Sequence, residues 1–319
     1  MPETSTMKFN QEECMRNTRT ENRNYIVVAA LFLIFTVSFV GSVTAEETHP
    51  HVITTEWLSA NMKRFDIRII DIREKVTDYW QGHIPGAIYL NPEALRLSSR
   101  GVPVKLMPPE ALEIMLGKMG VSRMAKVIVY SDRSDEKAAY LIWALDYLGQ
   151  SFSGMLDGGF SKWQQEKRPV TQDYPKARQS AYTIFNLHQQ WRAPLRAVKR
   201  AAEEKTSVIV DVRPLEMYTG EKGFWKRKGH IKGAVHHFWG DDLKADGTLK
   251  SKEELKQAYE KIGVTPDKNI IVYCGQGQMS AHAYFVLRYM LGCFKVRNYD
   301  GGFNEWSSIA DLPIETGQK

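Results

Sequence analysis

The chain has 319 residues, of which 43% are hydrophobic and 25% are charged. That length and composition are typical of a globular protein of about two domains, and they exclude fibrous and disordered classes. Only 3 cysteines are present, which excludes a disulfide scaffold and a zinc site built from two Cys-x-x-Cys pairs. The formal net charge of +6 suits anionic ligands, or it serves solubility alone.

The N-terminal segment has the pattern of a targeting signal. An uncharged apolar run covers residues 25–45 and follows a leader with three arginines. The run ends in small residues at Ala45, before two glutamates, which favours a cleaved signal peptide. A retained membrane anchor is the alternative, because the run is near the ~20 residues that span a bilayer. We therefore expect residues 1–45 to be leader and signal, and the protein to be exported, periplasmic or otherwise extracytoplasmic, touching a membrane only through an uncleaved segment.

The remainder of the chain contains one unit twice. An Asp-x-Arg strand end followed by Gly-His-Ile-x-Gly-Ala occurs at Asp71 and again at Asp211. An Ile/Val run ending in tyrosine and a later Asp-Gly-Gly-Phe turn also recur; 143 residues separate Tyr130 from Tyr273 and Phe160 from Phe303. Four matched motifs in the same order indicate a duplication. We predict one domain over residues 46–175 and a second over residues 176–319.

Each copy has the pattern of an α/β domain. Short, continuous apolar runs such as Val127–Tyr130 and Ile270–Tyr273 alternate with helical patterns such as Glu136–Leu148. Runs of this kind are typical of parallel strands that are covered on both faces by helices. Ligands of such sheets bind at the carboxyl ends of the strands, where the loops to the helices begin.

One cysteine lies at such a strand end. Cys274 directly follows the strand Ile270–Tyr273 and opens a loop with two glycines, after which an amphipathic helical pattern begins. The glycines allow successive backbone N–H groups to turn toward the sulfur, and the helix N-terminus adds partial positive charge. Both effects stabilise a thiolate and favour a nucleophile over a buried, inert cysteine.

On these motifs the chain resembles the rhodanese-type sulfurtransferases, from about Thr54 to Pro313. The resemblance implies two tandem rhodanese-like domains and a catalytic Cys274 that takes a sulfane sulfur, holds it as a persulfide, and passes it to a thiophilic acceptor such as cyanide or a thiol. It also implies a silent first domain, and Ser131 stands at the position that matches Cys274. The residues expected to hold the substrate include the whole loop: Gly275, Gln276, Gly277, Gln278, Met279 and Ser280.

The sulfur donor follows less directly from the resemblance. Thiosulfate enzymes of the family typically carry Arg and Lys straight after the cysteine, whereas 3-mercaptopyruvate enzymes typically read Cys-Gly-Ser-Gly. The loop here reads Cys-Gly-Gln-Gly and has no charge from Gly275 to Ser280. We expect a small anionic donor of the thiosulfate type, with 3-mercaptopyruvate as the alternative.

Basic residues outside the loop are the candidate anchors for that anion. Arg213, after Asp211, is a substrate contact or a structural ion pair, because Arg73 occupies the matching place in the silent copy. Arg227 is the second candidate, within a run of three basic residues. Lys105 is a third, reaching from the first domain across the cleft.

Three further residues are interpreted as structural. His83 and His230 occur in both copies and are expected to be turn residues, and Cys293 is expected to be buried packing or, as an alternative, a redox partner of Cys274.

Other functional classes fit the residues less well. A cysteine phosphatase or arsenate reductase needs Cys-x5-Arg to grip an oxyanion, and Ser280 stands where that arginine would be. A non-enzymatic, secreted persulfide carrier remains the alternative of another class. No nucleic-acid motif is present, and we expect no metal and no organic cofactor, since the sulfur on Cys274 would be the transferred group.

Overall fold

The protein is described here by a computed structural model that covers residues 51–176 and 178–317. The predicted signal or anchor segment, residues 1–45, lies outside the described residues. Within the part of the chain that is described, no helix is both long and apolar enough to cross a membrane.

The first domain is built from a five-stranded sheet, a small hairpin and five helices. In chain order its elements are β1 Val52–Ile53, α1 Thr55–Asn61, β2 Ile67–Asp71, α2 Val76–Gln81, β3 Ala87–Tyr89, β4 Arg96–Ser99, β5 Val102–Leu106, α3 Pro109–Lys118, β6 Lys126–Tyr130, α4 Glu136–Leu148, β7 Phe152–Leu156 and α5 Gly159–Gln165. The sheet has the order β1-β7-β6-β2-β3, and every pair in it is parallel. Strands β4 and β5 form a separate antiparallel hairpin.

The second domain repeats this plan. Its elements are α6 Leu195–Glu204, β8 Val208–Asp211, α7 Leu215–Thr219, β9 His230–Ile231, β10 Val235–His236, α8 Lys252–Lys261, β11 Ile270–Tyr273, α9 Gln278–Phe285, β12 Val296–Tyr299, α10 Gly302–Ser308 and β13 Ile314–Glu315. A parallel sheet runs in the order β10-β8-β11-β12, which matches β3-β2-β6-β7 of the first domain. The repeated strand order and the α/β class agree with the expectation from the sequence.

Helices cover both faces of each sheet because successive side chains of a strand point to opposite sides. In β6, Val127 and Val129 belong to the cluster that contains α4, whereas Ile128 and Tyr130 belong to the cluster with Trp163 of α5. Strand β11 is divided in the same way between two clusters. This burial on both faces explains why the strands read as unbroken apolar runs.

The two domains share one hydrophobic core. Helix α4, which follows the Ser131 loop, packs against α9, which follows the Cys274 loop, and their buried residues belong to a single cluster. Asp146 of α4 accepts hydrogen bonds from Tyr284 at 3.0 Å and from Tyr289 at 2.7 Å, so a buried carboxylate is satisfied across this contact. The shared core fixes the first domain against the cysteine loop.

Candidate active site

Cys274 lies at the carboxyl end of β11, and its side chain is 3% exposed. The backbone N–H of Gly277 donates to its Sγ at 3.1 Å, and the Ser280 hydroxyl oxygen lies 3.6 Å from the same sulfur. Helix α9 starts one residue after Gly277, with no acidic residue in its first turn and no side chain capping it. The sulfur therefore accepts one backbone N–H and lies at the positive end of a helix, an arrangement that suits a bound anionic group.

Two glycines make this loop geometry possible. Gly277 has φ +89°, and a Cβ there would lie 2.7 Å from the Cα of Asp300. Gly302 has φ +56°, and a Cβ there would lie 2.5 Å from the carbonyl oxygen of Cys274. Larger residues would be strained at both positions and would displace the cysteine loop.

The start of α10 holds the cysteine loop through two backbone hydrogen bonds. The backbone N–H of Phe303 donates to the Cys274 carbonyl at 2.7 Å, and that of Asn304 donates to the Gly275 carbonyl at 3.0 Å. The first N–H groups of a helix have no acceptor within that helix. Here the carbonyls of the cysteine loop accept them, so the hydrogen bonds satisfy both the loop carbonyls and the N–H groups at the start of α10.

Asn298 is a supporting residue that sequence reasoning missed. Its side-chain oxygen accepts a hydrogen bond from Ser280 at 2.7 Å, and its side-chain nitrogen donates to the Gly277 carbonyl at 3.0 Å. The duplication held a signal for it, because the position 143 residues earlier, in the copy that carries Ser131, is Met155. A buried amide that replaces a methionine only in the cysteine-bearing copy indicates a role in holding this loop.

A cavity of about 210 Å³ opens onto the cysteine. It is lined by Glu136, Arg213, Met217, Phe224, Trp225, Cys274, Gly275, Gln276, Gln278 and Met279. The structure thus brings most of the predicted site residues together around the sulfur. Gly277 and Ser280 contact the sulfur from behind instead of lining the cavity.

Arg213 is both a structural ion pair and part of the cavity wall. Its Nε donates to Asp211 at 2.9 Å, its Nη2 donates to the Gly229 carbonyl at 2.7 Å, and its guanidinium lies 4.1 Å from the ring centre of Phe303. Burial opposes the charge, but Asp211 outweighs that effect and raises the pKa of Arg213. Its Nη1 is buried and has no hydrogen-bond partner among the described residues, so one donor of the guanidinium is unsatisfied.

Two of the predicted anion anchors lie elsewhere. Arg227 donates both of its Nη groups to the carbonyls of Ile309 and Leu312, beyond the end of α10, and it does not line the cavity. These bonds give Arg227 a structural role away from the cavity lining, and its contact with the substrate stays a prediction. Lys105 forms an ion pair with Glu305 at 3.0 Å and likewise does not line the cavity.

Two walls of the cavity were not expected from the sequence. Glu136, the first residue of α4, brings a carboxylate from the first domain. Phe224 and Trp225 lie in an insertion, since nine positions separate Arg73 from Gly82 but sixteen separate Arg213 from Gly229. That difference in length between the copies was the available signal.

The histidines shared by both copies have matching structural surroundings. His83 bonds to the Tyr79 carbonyl at 3.0 Å and stacks on that ring, and His230 does the same with Tyr218 at 2.8 Å. Among the described residues, no cluster of three or more His, Cys, Asp or Glu could hold a metal ion.

We expect the two described cysteines to differ in their rates of alkylation. Cys293 is buried, and burial raises the pKa of its thiol to about 11, so at pH 8 it is protonated and shielded. Cys274 lines a cavity and should react first with iodoacetamide, as followed by peptide mass spectrometry. In denaturant both should react; equal labelling rates in the native protein would contradict the difference.

Comparisons with known proteins identify the family of this chain. A family model described as the rhodanese-like domain matches residues 54–166 and 195–309. A thiosulfate sulfurtransferase of Corynebacterium glutamicum is 30% identical over 284 residues, which is 86% of this chain and 93% of that protein. The sulfur carrier protein TtuD of Thermus thermophilus is 33% identical over 284 residues, covering 85% of this chain and 99% of that one.

Solved structures show the same architecture. A complex of an EanB variant with ergothioneine superposes with a TM-score of 0.75 at 25% identity, covering 84% of this chain and 70% of that one. The crystal structure of YnjE gives a TM-score of 0.76 at 24% identity over 84% of this chain and 69% of that one, a likeness of fold alone. With two matched domains and relatives aligned over most of its length, this chain belongs to the rhodanese family as a tandem-domain sulfurtransferase.

Proposed function

We propose that the protein moves a sulfane sulfur from thiosulfate to a thiophilic acceptor through a persulfide on Cys274. The observation that carries the proposal is the Cys274 sulfur, which accepts the Gly277 N–H at 3.1 Å and opens onto a cavity that also contains the Arg213 guanidinium. Thiosulfate is small enough for a cavity of about 210 Å³. Its oxygens require a donor of the kind that Arg213 Nη1 provides.

The first half-reaction loads the cysteine. The Cys274 thiolate attacks the outer sulfur of thiosulfate, the S–S bond of the donor breaks, and sulfite leaves with the electron pair. The product is a persulfide whose outer sulfur lies in the cavity. The N-terminus of α9 and the Gly277 N–H stabilise the negative charge on this group, as they do on the thiolate.

The second half-reaction regenerates the enzyme. Cyanide or a thiol attacks the outer sulfur of the persulfide, the persulfide S–S bond breaks, and the Cys274 thiolate is the leaving group. The same stabilisation that favours the thiolate at the start therefore favours its departure here. The first domain has no part in either bond change, because Ser131 replaces the cysteine, but it contributes Glu136 to the cavity.

A side-by-side assay tests which sulfur donor the protein prefers. We expect thiosulfate with cyanide to give a larger kcat/KM than 3-mercaptopyruvate with a thiol, by about tenfold or more, which is ~1.4 kcal/mol in transition-state binding. In parallel, mass spectrometry after thiosulfate alone should show one added sulfur on the Cys274 peptide, and cyanide should remove it. The reverse preference would assign the 3-mercaptopyruvate reaction instead.

A sulfur carrier is the second candidate. The relative from Thermus thermophilus that this chain covers over 99% of its length is named a sulfur carrier protein. A carrier would also form the persulfide on Cys274, but it would release the sulfur to a protein acceptor. Persulfide formation without turnover on cyanide or small thiols would favour this candidate over the enzyme.

A further inference from the structure

A second, larger groove is separate from the cavity at Cys274. Its volume is about 920 Å³, and it runs between the β4–β5 hairpin of the first domain and the segment of the second domain that includes α6 and β12. None of its lining residues belongs to the cavity around Cys274. A ligand of this groove would therefore be distinct from the sulfur donor.

The groove has an excess of positive charge. Six of its lining side chains are basic: Arg100, Lys105, Arg192, Arg196, Arg200 and Arg297. Two are neutralised by carboxylates in the same groove, since Arg192 pairs with Asp300 at 2.6 Å and Lys105 with Glu305 at 3.0 Å. The other four arginines form no ion pair with any residue that the structure describes, which leaves four uncompensated charges along one surface.

Two of these arginines lie close enough to repel each other. Arg297 of β12 is half-buried, and both its burial and the positive charge of Arg200 on α6 lower its pKa. Keeping two guanidinium groups together at a partly desolvated site costs free energy unless an anion joins them. The planar guanidinium also matches the oxygens of phosphate and carboxylate groups in a bidentate manner.

The N-terminus of helix α6 adds to the positive potential of the groove. Helix α6 has ten residues, and the first three, Leu195 to Ala197, line the groove. Pro194 precedes them and offers no side-chain cap, and the first turn contains no acidic residue. The Ala197 N–H donates to the Pro194 carbonyl at 2.8 Å, so among the described residues the N–H groups of Leu195 and Arg196 are the ones left without a backbone acceptor in this turn. Free N–H groups at a helix N-terminus favour anions.

We propose that this groove binds a small molecule that carries two or more phosphate or carboxylate groups. Several separated positive groups require a ligand with more than one anionic group. The volume of about 920 Å³ lies within the range of small-molecule pockets, which extends from ~300 to ~1,000 Å³. The groove shares no lining residue with the cavity at Cys274, so the proposal stands apart from the proposed reaction.

Calorimetric titration of the full chain tests the site, with tripolyphosphate, citrate and inorganic phosphate as probes at constant ionic strength. We expect tripolyphosphate or citrate to bind more tightly than inorganic phosphate, and the stronger of the two distinguishes phosphate from carboxylate recognition. The double variant Arg200→Gln/Arg297→Gln should weaken that binding by about tenfold or more, the size of a lost charge-assisted hydrogen bond.

A matched variant removes the same charge elsewhere. Lys63 and Lys118 are exposed residues of the first domain outside the groove, and Lys63→Gln/Lys118→Gln should leave binding unchanged. Equal weakening in both double variants would show unspecific attraction to a basic protein and would overturn the site. Absence of binding by tripolyphosphate and citrate to the wild type would overturn it as well. Thermal unfolding of each variant shows whether the substitutions preserve the fold.

Discussion

A Cys274→Ser variant is expected to lose sulfur transfer almost completely, to below about one thousandth of the wild-type turnover. Serine keeps the size of the side chain and can accept the Gly277 N–H, but its hydroxyl stays protonated at neutral pH. It therefore offers no thiolate to attack the donor and no sulfur to carry the persulfide. Steady-state turnover with thiosulfate and cyanide measures the loss.

The fold of this variant should be intact, because serine is close to cysteine in size and the loop bonds from Phe303 and Asn304 stay in place. We expect its free energy of unfolding in urea to lie within ~1 kcal/mol of the wild type. Cys293→Ser is the matched control: it alters the other described cysteine, which lies outside the cavity, and it should retain turnover. Residual turnover above about one tenth in Cys274→Ser would contradict the assignment of the nucleophile.

The duplication and the cysteine loop could be predicted because both depend on local patterns. A buried strand followed by Cys274, two glycines and a helix specifies a strand–loop–helix unit, and the first copy, with Ser131, shows a matching strand–loop–helix unit without the thiol. The Asp-x-Arg motif is equally local, since Arg213 bonds to a carboxylate two residues away. Short sequence separation makes such geometry accessible to reasoning from residues alone.

The partners of the charged residues near the site could not be predicted in the same way. Arg227 finds its carbonyl partners 82 and 85 residues further along the chain, and Lys105 finds Glu305 200 residues away. Glu136 reaches the cavity only because α4 and α9 pack together in the shared core. A charge in a loop has no preferred direction until tertiary contacts supply one, so its partner depends on the arrangement of the whole fold.

Arg213 and Arg73 provide a test that separates structure from function within one molecule. Both guanidinium groups are buried, and each pairs with an aspartate two residues earlier, with a backbone carbonyl and with a phenylalanine ring. Replacing either arginine by alanine leaves a buried carboxylate unpaired. Arg213→Ala and Arg73→Ala should therefore each lower the free energy of unfolding by about 3–5 kcal/mol, measured by urea denaturation.

Of the two substitutions, we expect only Arg213→Ala to weaken the binding of the sulfur donor. Arg213 lines the cavity and its Nη1 has no partner among the described residues, whereas Arg73 does not line the cavity. Loss of one charge-assisted hydrogen bond should raise the KM for thiosulfate by about 10- to 100-fold in Arg213→Ala, while the folded fraction of Arg73→Ala keeps the wild-type KM.

Lysine variants extend the test if the alanine variants are too unstable to assay. Arg213→Lys and Arg73→Lys keep a positive charge beside the aspartate. They lose the planar guanidinium that donates to the carboxylate and to the backbone carbonyl at the same time. Both should be less destabilised than the alanine variants, and Arg213→Lys alone should show a raised KM. An unchanged KM in both Arg213 variants would make this arginine a structural residue only, and the Gly277 N–H with the α9 N-terminus would then be the groups left to hold the donor's charge.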